Sequence, residues 1–272
     1  MELAIGFFIA FAIAVTGVGA GTITAPLLIL FLHVPIALSV GTALAYSAIV
    51  KMIVVPVQIW RKQVVYRVVG WMLLGGLPGV ILGVVLFHRV VQHGEQNILY
   101  VALGSIIVAS SGWHLYRNLR PATTGRARKT HPAWIAALML PIGTEVGFSS
   151  SGAGALGTLC LLSLTTLDAS QVVGTDLVFG LCLSLVGGGT HVFSGSYDSA
   201  LLVRLVLGGF FGAAVGSAVA PRLPNRRLRV ALAALLLVVG TLFCVRPLNL
   251  HPLASLQAVV HASASTASAF DR

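Results

Sequence analysis

Long apolar runs separated by short polar or basic stretches occupy almost the whole chain. They fall at about Leu3–Phe31, Leu38–Trp60, Val68–Phe87, Ile98–Tyr116, Ala133–Leu164, Ser170–Phe193, Ala200–Ala220 and Leu228–Val245. Runs of about 20 apolar residues cross a ~30 Å hydrocarbon layer as helices. The pattern therefore predicts an all-α polytopic membrane protein with no separate soluble domain. Its organisation is an N-terminal membrane repeat over 1–116, a basic cytoplasmic linker over 117–132, a C-terminal membrane repeat over 133–246, and an Ala- and Ser-rich tail over 247–272.

The first run is not a plain span. It contains Gly17-Val18-Gly19-Ala20-Gly21-Thr22-Ile23-Thr24-Ala25-Pro26. Each glycine gives up about 1 kcal/mol of helix propensity relative to alanine, and Pro26 lacks a backbone donor where no water compensates. A broken helix is expected, of the kind that transporters use to aim half-helix ends at a substrate.

The chain also matches itself. A step of 133 residues carries Gly19 and Gly21 onto Gly152 and Gly154, and Val40-Gly41-Thr42 onto Val173-Gly174-Thr175. The same step carries Gly75, Gly76, Gly79 and Gly83 onto Gly208, Gly209, Gly212 and Gly216. The reading is a duplicated unit of four segments.

Charge decides the orientation of the two units. Eight simple crossings would put the arginines at 222–229 opposite the basic cluster at 117–129, against the positive-inside tendency. If segments one and five instead bend at their glycines and return, each unit crosses three times and the second is inverted. Then 12 of the 17 Lys and Arg residues fall on one face. Length agrees, because Leu3–Phe31 as one straight helix would span ~43 Å. The expectation is two inverted four-segment repeats, the first segment of each a broken or re-entrant helical hairpin. The basic loops are then cytoplasmic and both termini outside. The first thirty residues lack a basic n-region and are expected to remain as mature structure.

Composition narrows the class. The chain is 57% hydrophobic and 9% charged, with a mean hydropathy of +0.97, and its +10 net charge follows from topology signals rather than nucleic-acid binding. Cys160, Cys182 and Cys244 lie in apolar runs without CxxC spacing, so neither a disulfide framework nor a metal site is indicated and no cofactor is expected.

Candidate chemistry centres on the breaks. Gly19, Ala20, Gly21 and Thr22, with Gly152, Ala153 and Gly154, would form two hairpin tips ahead of half-helices starting near Thr22 and Ala155. A helix start exposes N–H groups and about half a positive charge, which suits an anion. Close helix packing is the competing account. Ser150 and Ser151 could add hydroxyl donors or satisfy backbone carbonyls. Thr42 and Thr175 could face the same cavity or serve packing. Lys51, Glu145 and Asp176 are ionisable groups inside apolar runs, each costing some 2.5–3.5 kcal/mol at a helix centre in bilayer. Lys51 could attract the anion, and Glu145 and Asp176 are candidates for carrying protons. His191, matched to Gln58, is either a substrate contact or a hydrogen-bonded helix contact. A Ser–His intramembrane protease is disfavoured, since Gly147-Phe148-Ser149-Ser150 departs from GxSG and a catalytic dyad would not explain the duplication.

Taken together, the Gly-rich break, the Val-Gly-Thr element and the Gly-rich third segment resemble the sulfite exporter TauE/SafE family of membrane permeases. The resemblance covers Gly17–Gly83 and Gly152–Gly216. It implies a secondary transporter of small sulfur-containing anions, such as sulfite or organosulfonates, in the bacterial inner membrane. The partners expected are a small anionic substrate and the lipid bilayer, with no nucleic acid. A passive anion channel and a non-transporting membrane scaffold are the alternative readings.

Overall fold

A segment in hydrocarbon must satisfy its own backbone donors and acceptors, and a run of apolar side chains does so as a helix. A computed structural model describes residues 2–16, 20–93, 96–119, 132–150 and 156–219, with isolated positions between 234 and 245. Among these residues there are nine helices and no strand. They are α1 (Glu2–Thr16), α2 (Ala20–Phe31), α3 (Ile36–Trp60), α4 (Tyr66–Gln92), α5 (Gln96–Leu119), α6 (Pro132–Ser149), α7 (Leu156–Leu164), α8 (Ala169–Phe193) and α9 (Ser199–Val219). Four are long and apolar enough to cross a membrane: Ile36–Trp60, Tyr66–Gln92, Ser170–Phe193 and Ser199–Val219.

The predicted first and fifth runs each comprise two helices. α1 and α2 have 15 and 12 residues and α7 has 9, so none of the three reaches ~30 Å at 1.5 Å per residue. Residues 120–131 of the basic linker, the arginines at 222–229 and the tail lie outside the described residues.

Glycine sets how the helices meet. A Cβ on Gly75, Gly79 or Gly83 of α4 would lie 1.8, 2.2 or 2.1 Å from the carbonyl oxygens of Ala136, Leu140 and Thr144 in α6. On Gly208 and Gly212 of α9 it would lie 1.9 and 2.1 Å from those of Leu3 and Phe7 in α1, and on Gly216 it would be 2.9 Å from that of Phe11. The two lists correspond at a step of 133 with the partners exchanged. Gly75 meets Ala136, and Gly208 meets Leu3. Both pairs run parallel, with backbones in near contact of the kind small residues permit.

The same exchange recurs elsewhere. Gly76 faces the Phe179 ring, while Gly209 faces Tyr46; the Tyr46 hydroxyl also donates to the Gly6 carbonyl at 2.6 Å. Helices α3 and α8 begin and end 133 residues apart. They pack against each other antiparallel, Gly41 lying by His191, Leu44 and Ala45 by Gly187 and Gly188, and Lys51 by Gly180.

Candidate functional site

Helices in lipid expose apolar side chains, so polar groups gather where helix faces one another. On α8, Asp176, Gly180 and Ser184 are spaced by four and share a face, as do Ser47 and Lys51 on α3. The antiparallel contact brings these faces together. Lys51 is 2% exposed; its ammonium donates to the Gly180 carbonyl and to Ser184 Oγ, both at 3.1 Å. Ser47 Oγ is 3.1 Å from Ser184 Oγ. At the step of 133, Ser47 corresponds to Gly180 and Lys51 to Ser184. Four matched positions thus form one buried polar cluster whose single cation comes from the first half.

The seam continues to α7. Asp176, also buried, accepts a hydrogen bond from Thr158 Oγ1 at 2.9 Å. A Cβ on Gly157 would lie 2.1 Å from Asp176 Oδ1. Gly157 and Thr158 belong to the first turn of α7, so the carboxylate sits at the positive end of that helix, a favourable place for an anion. Asp176 is also within electrostatic reach of Lys51.

Thr42 and Thr175 take a different part. Thr175 Oγ1 accepts from the Val65 N–H at 3.1 Å, and Thr42 Oγ1 accepts from the Asp198 N–H at 3.0 Å. Val65 precedes α4, while Asp198 caps α9, its Oδ1 accepting from the Leu201 N–H at 3.0 Å. The hydroxyls therefore pin the starts of α4 and α9 to α8 and α3. Val65 and Asp198 are again 133 apart. Thr175→Val and Thr42→Val each strand one N–H, and each is expected to lower unfolding stability in detergent by about 1–3 kcal/mol. The double variant should show a near-additive loss, and thermal unfolding of the four proteins checks both statements.

Ser150 follows the last residue of α6 with φ +64°, a left-handed conformation that is uncommon outside glycine and costs roughly 1–2 kcal/mol. Its N–H donates to the Val146 carbonyl at 2.8 Å, while its hydroxyl is buried without a partner among the described residues. Ser149 instead donates to the Glu145 carbonyl of its own helix at 2.9 Å. Ala20, Gly21 and Thr22 form the first turn of α2. Gly19, Ser151, Gly152, Ala153 and Gly154 lie outside the described residues.

Glu145 stands away from the seam. It lines a cavity of about 670 Å³ among α4, α5, α6 and α7, with Leu86, Ile106, Thr144, Phe148 and Leu156. A wall of this composition offers an oxyanion few donors, so the Lys51 seam, rather than the cavity, is the candidate site. His191 is fully buried on α8 next to Phe87 and His88 of α4. Sequence reasoning passed over Ser47, Gly180 and Ser184. The signal was available, since Ser47 lies one turn from Lys51, and Gly180 and Ser184 are the matched positions of those two residues.

Two comparisons bear on this arrangement. The profile described as "Sulfite exporter TauE/SafE" matches residues 2–243. The chain is 29% identical over 246 residues to "Probable membrane transporter protein YjnA" of Bacillus subtilis (strain 168), covering 86% of this chain and 95% of that protein. No solved structure matches. A buried polar seam within a bundle of membrane-length helices and a family match over nearly the whole length agree: the chain belongs to the sulfite exporter TauE/SafE family and is a membrane transporter, not an enzyme.

Proposed function

We propose that this chain moves a small sulfur-containing anion, sulfite or an organosulfonate, across the bacterial inner membrane by alternating access between two inverted halves. The observation that carries the reading is the buried Lys51 ammonium, held by Gly180 and Ser184 where α3 packs on α8. A cation is retained inside a membrane bundle when it serves an ion or substrate path.

Inversion of the halves is supported by the antiparallel course of α3 and α8, whose boundaries lie one step of 133 apart, and by the exchanged glycine contacts. Inversion also collects the basic loops on the cytoplasmic face and puts both termini outside. The anion binds near the links 17–19 and 151–155, where Gly19, Ala20, Gly21 and Thr22 approach it from one half. Ser150, Ser151, Gly152, Ala153 and Gly154 approach it from the other, and Lys51 supplies the charge.

Asp176 gives a route for proton coupling. Its carboxylate occupies the start of α7 and competes with an incoming anion for the same helix end. Protonation removes that negative charge and opens the helix end to substrate. Glu145 is the second proton carrier in this scheme.

Proteoliposome flux of labelled sulfite tests the proposal. Saturation, counterflow and a several-fold stimulation by an imposed proton gradient are expected, with the stimulation lost in Asp176→Asn. Non-saturating flux without counterflow would mean a channel. Wild-type flux indifferent to the gradient, together with normal transport by Asp176→Asn, would remove the proton from the mechanism.

A further inference from the structure

The polar face of α8 does not stop at Ser184. It reaches His191, which is 0% exposed and stacks on His88 of α4 with ring centroids 5.0 Å apart and planes 24° apart. Phe87 closes one side, its ring edge-on to His191 at 5.4 Å.

His88 Nδ1 lies 2.9 Å from the Val84 carbonyl oxygen. A carbonyl only accepts, so Nδ1 carries a proton, and Nε2 of the neutral ring is an acceptor. That Nε2 is buried and has no partner among the described residues. Neither nitrogen of His191 has a partner among these residues either; the ring approaches the Gly147 backbone without the geometry of a hydrogen bond. Ser150 stands one turn beyond Gly147, and its buried hydroxyl is also unpaired among the described residues. Native proteins leave few buried side-chain polar atoms unpaired. Several around one pair of rings mark the place of a polar guest.

Resting on the reading that the chain carries a sulfur oxyanion, we propose that His88, His191 and Ser150 form a subsite selective for an oxyanion that brings its own proton, hydrogensulfite rather than a sulfonate. The chemistry of the three groups is complementary to that form. Its O–H donates to His88 Nε2, while a His191 N–H and the Ser150 O–H donate to its remaining oxygens. Sulfite exchanges readily with hydrogensulfite near neutral pH. Sulfate and methanesulfonate have oxygens but no proton there, so each would set a lone pair against Nε2 or require a charged imidazole in an apolar enclosure. A buried group left unpaired by the wrong ligand is a strong source of discrimination.

The test is titration calorimetry of the full chain in detergent, at one neutral pH, with sodium sulfite, sulfate and methanesulfonate. Sulfite is expected to bind at least about tenfold more tightly than either competitor, a difference of 1.4 kcal/mol. In His88→Phe the preference disappears, with sulfite weakened to the level of sulfate and sulfate itself little changed. Wild-type protein carrying ¹⁵N-labelled histidine gives a readout that needs no variant. Two of the eight imidazoles should shift with sulfite and stay in place with sulfate. Equal affinity for the three anions, or imidazole signals unmoved by sulfite, overturns this inference and leaves anion transport standing. Absence of binding by all three, together with absence of sulfite flux, overturns both.

Discussion

Gly75→Leu is expected to lower the folded fraction at least about tenfold, because there is no volume for any side chain at that position. Even a methyl group would lie 1.8 Å from the Ala136 carbonyl oxygen. The obstacle is backbone and cannot rotate away. Relief requires α4 and α6 to separate, which also loosens Gly79 and Gly83 from Leu140 and Thr144. Overpacking in a well-filled core typically costs 1–3 kcal/mol and sometimes more, and 1.4 kcal/mol is already tenfold. Gly208→Leu should behave alike, since its Cβ would be 1.9 Å from the Leu3 carbonyl oxygen. Gly70→Ala is the control within the same helix: nothing lies within 4 Å of its Cβ, and alanine adds about 1 kcal/mol of helix propensity. Detergent size-exclusion yield and thermal midpoint measure all three. Leucine tolerated at both Gly75 and Gly208 would contradict the packing described.

Lys51→Met is expected to separate function from stability. Methionine keeps the length and apolar stem of lysine and removes the ammonium, while Ser47 and Ser184 retain their mutual hydrogen bond. A buried charge replaced by a well-packed apolar residue often leaves stability unchanged or improved, so the thermal midpoint should hold or rise. Anion flux should fall at least about 100-fold, the equivalent of losing some 2.7 kcal/mol of interaction with a desolvated anion. Sulfite uptake into proteoliposomes, normalised to reconstituted protein, gives the answer. Flux near wild type would assign Lys51 to packing alone and withdraw the main support for the proposed site.

Much of the architecture was legible because hydropathy and helix length obey the same bilayer. The run ending at Trp60 and the one ending at Phe193 stop where α3 and α8 stop, and the step of 133 relates their boundaries. Helix-to-helix register was harder to read. Nothing local to Lys51 reveals that Gly180 and Ser184 will receive its ammonium, since that depends on how two faces meet across 129 and 133 residues of chain. Thr42 and Thr175 stood out as a matched pair, yet their partners, backbone N–H groups of Asp198 and Val65, carry no sequence signature. His88 was missed for a simpler reason. The apolar run ends at Phe87, whereas α4 continues to Gln92 and takes the imidazole with it.

The exchange of partners between the halves has a consequence for biogenesis. α4 and α6 are made close together, Gly75 and Ala136 being about 60 residues apart. α1 is made first, but the helix it packs on, α9, follows about 200 residues later. At the 5–20 residues per second typical of synthesis, α1 waits roughly 10–40 s with its contact face unfilled. Closure of the first helix onto the ninth therefore comes late in assembly, and the nascent chain needs lipid, the insertion machinery or a neighbouring helix to cover α1 until then.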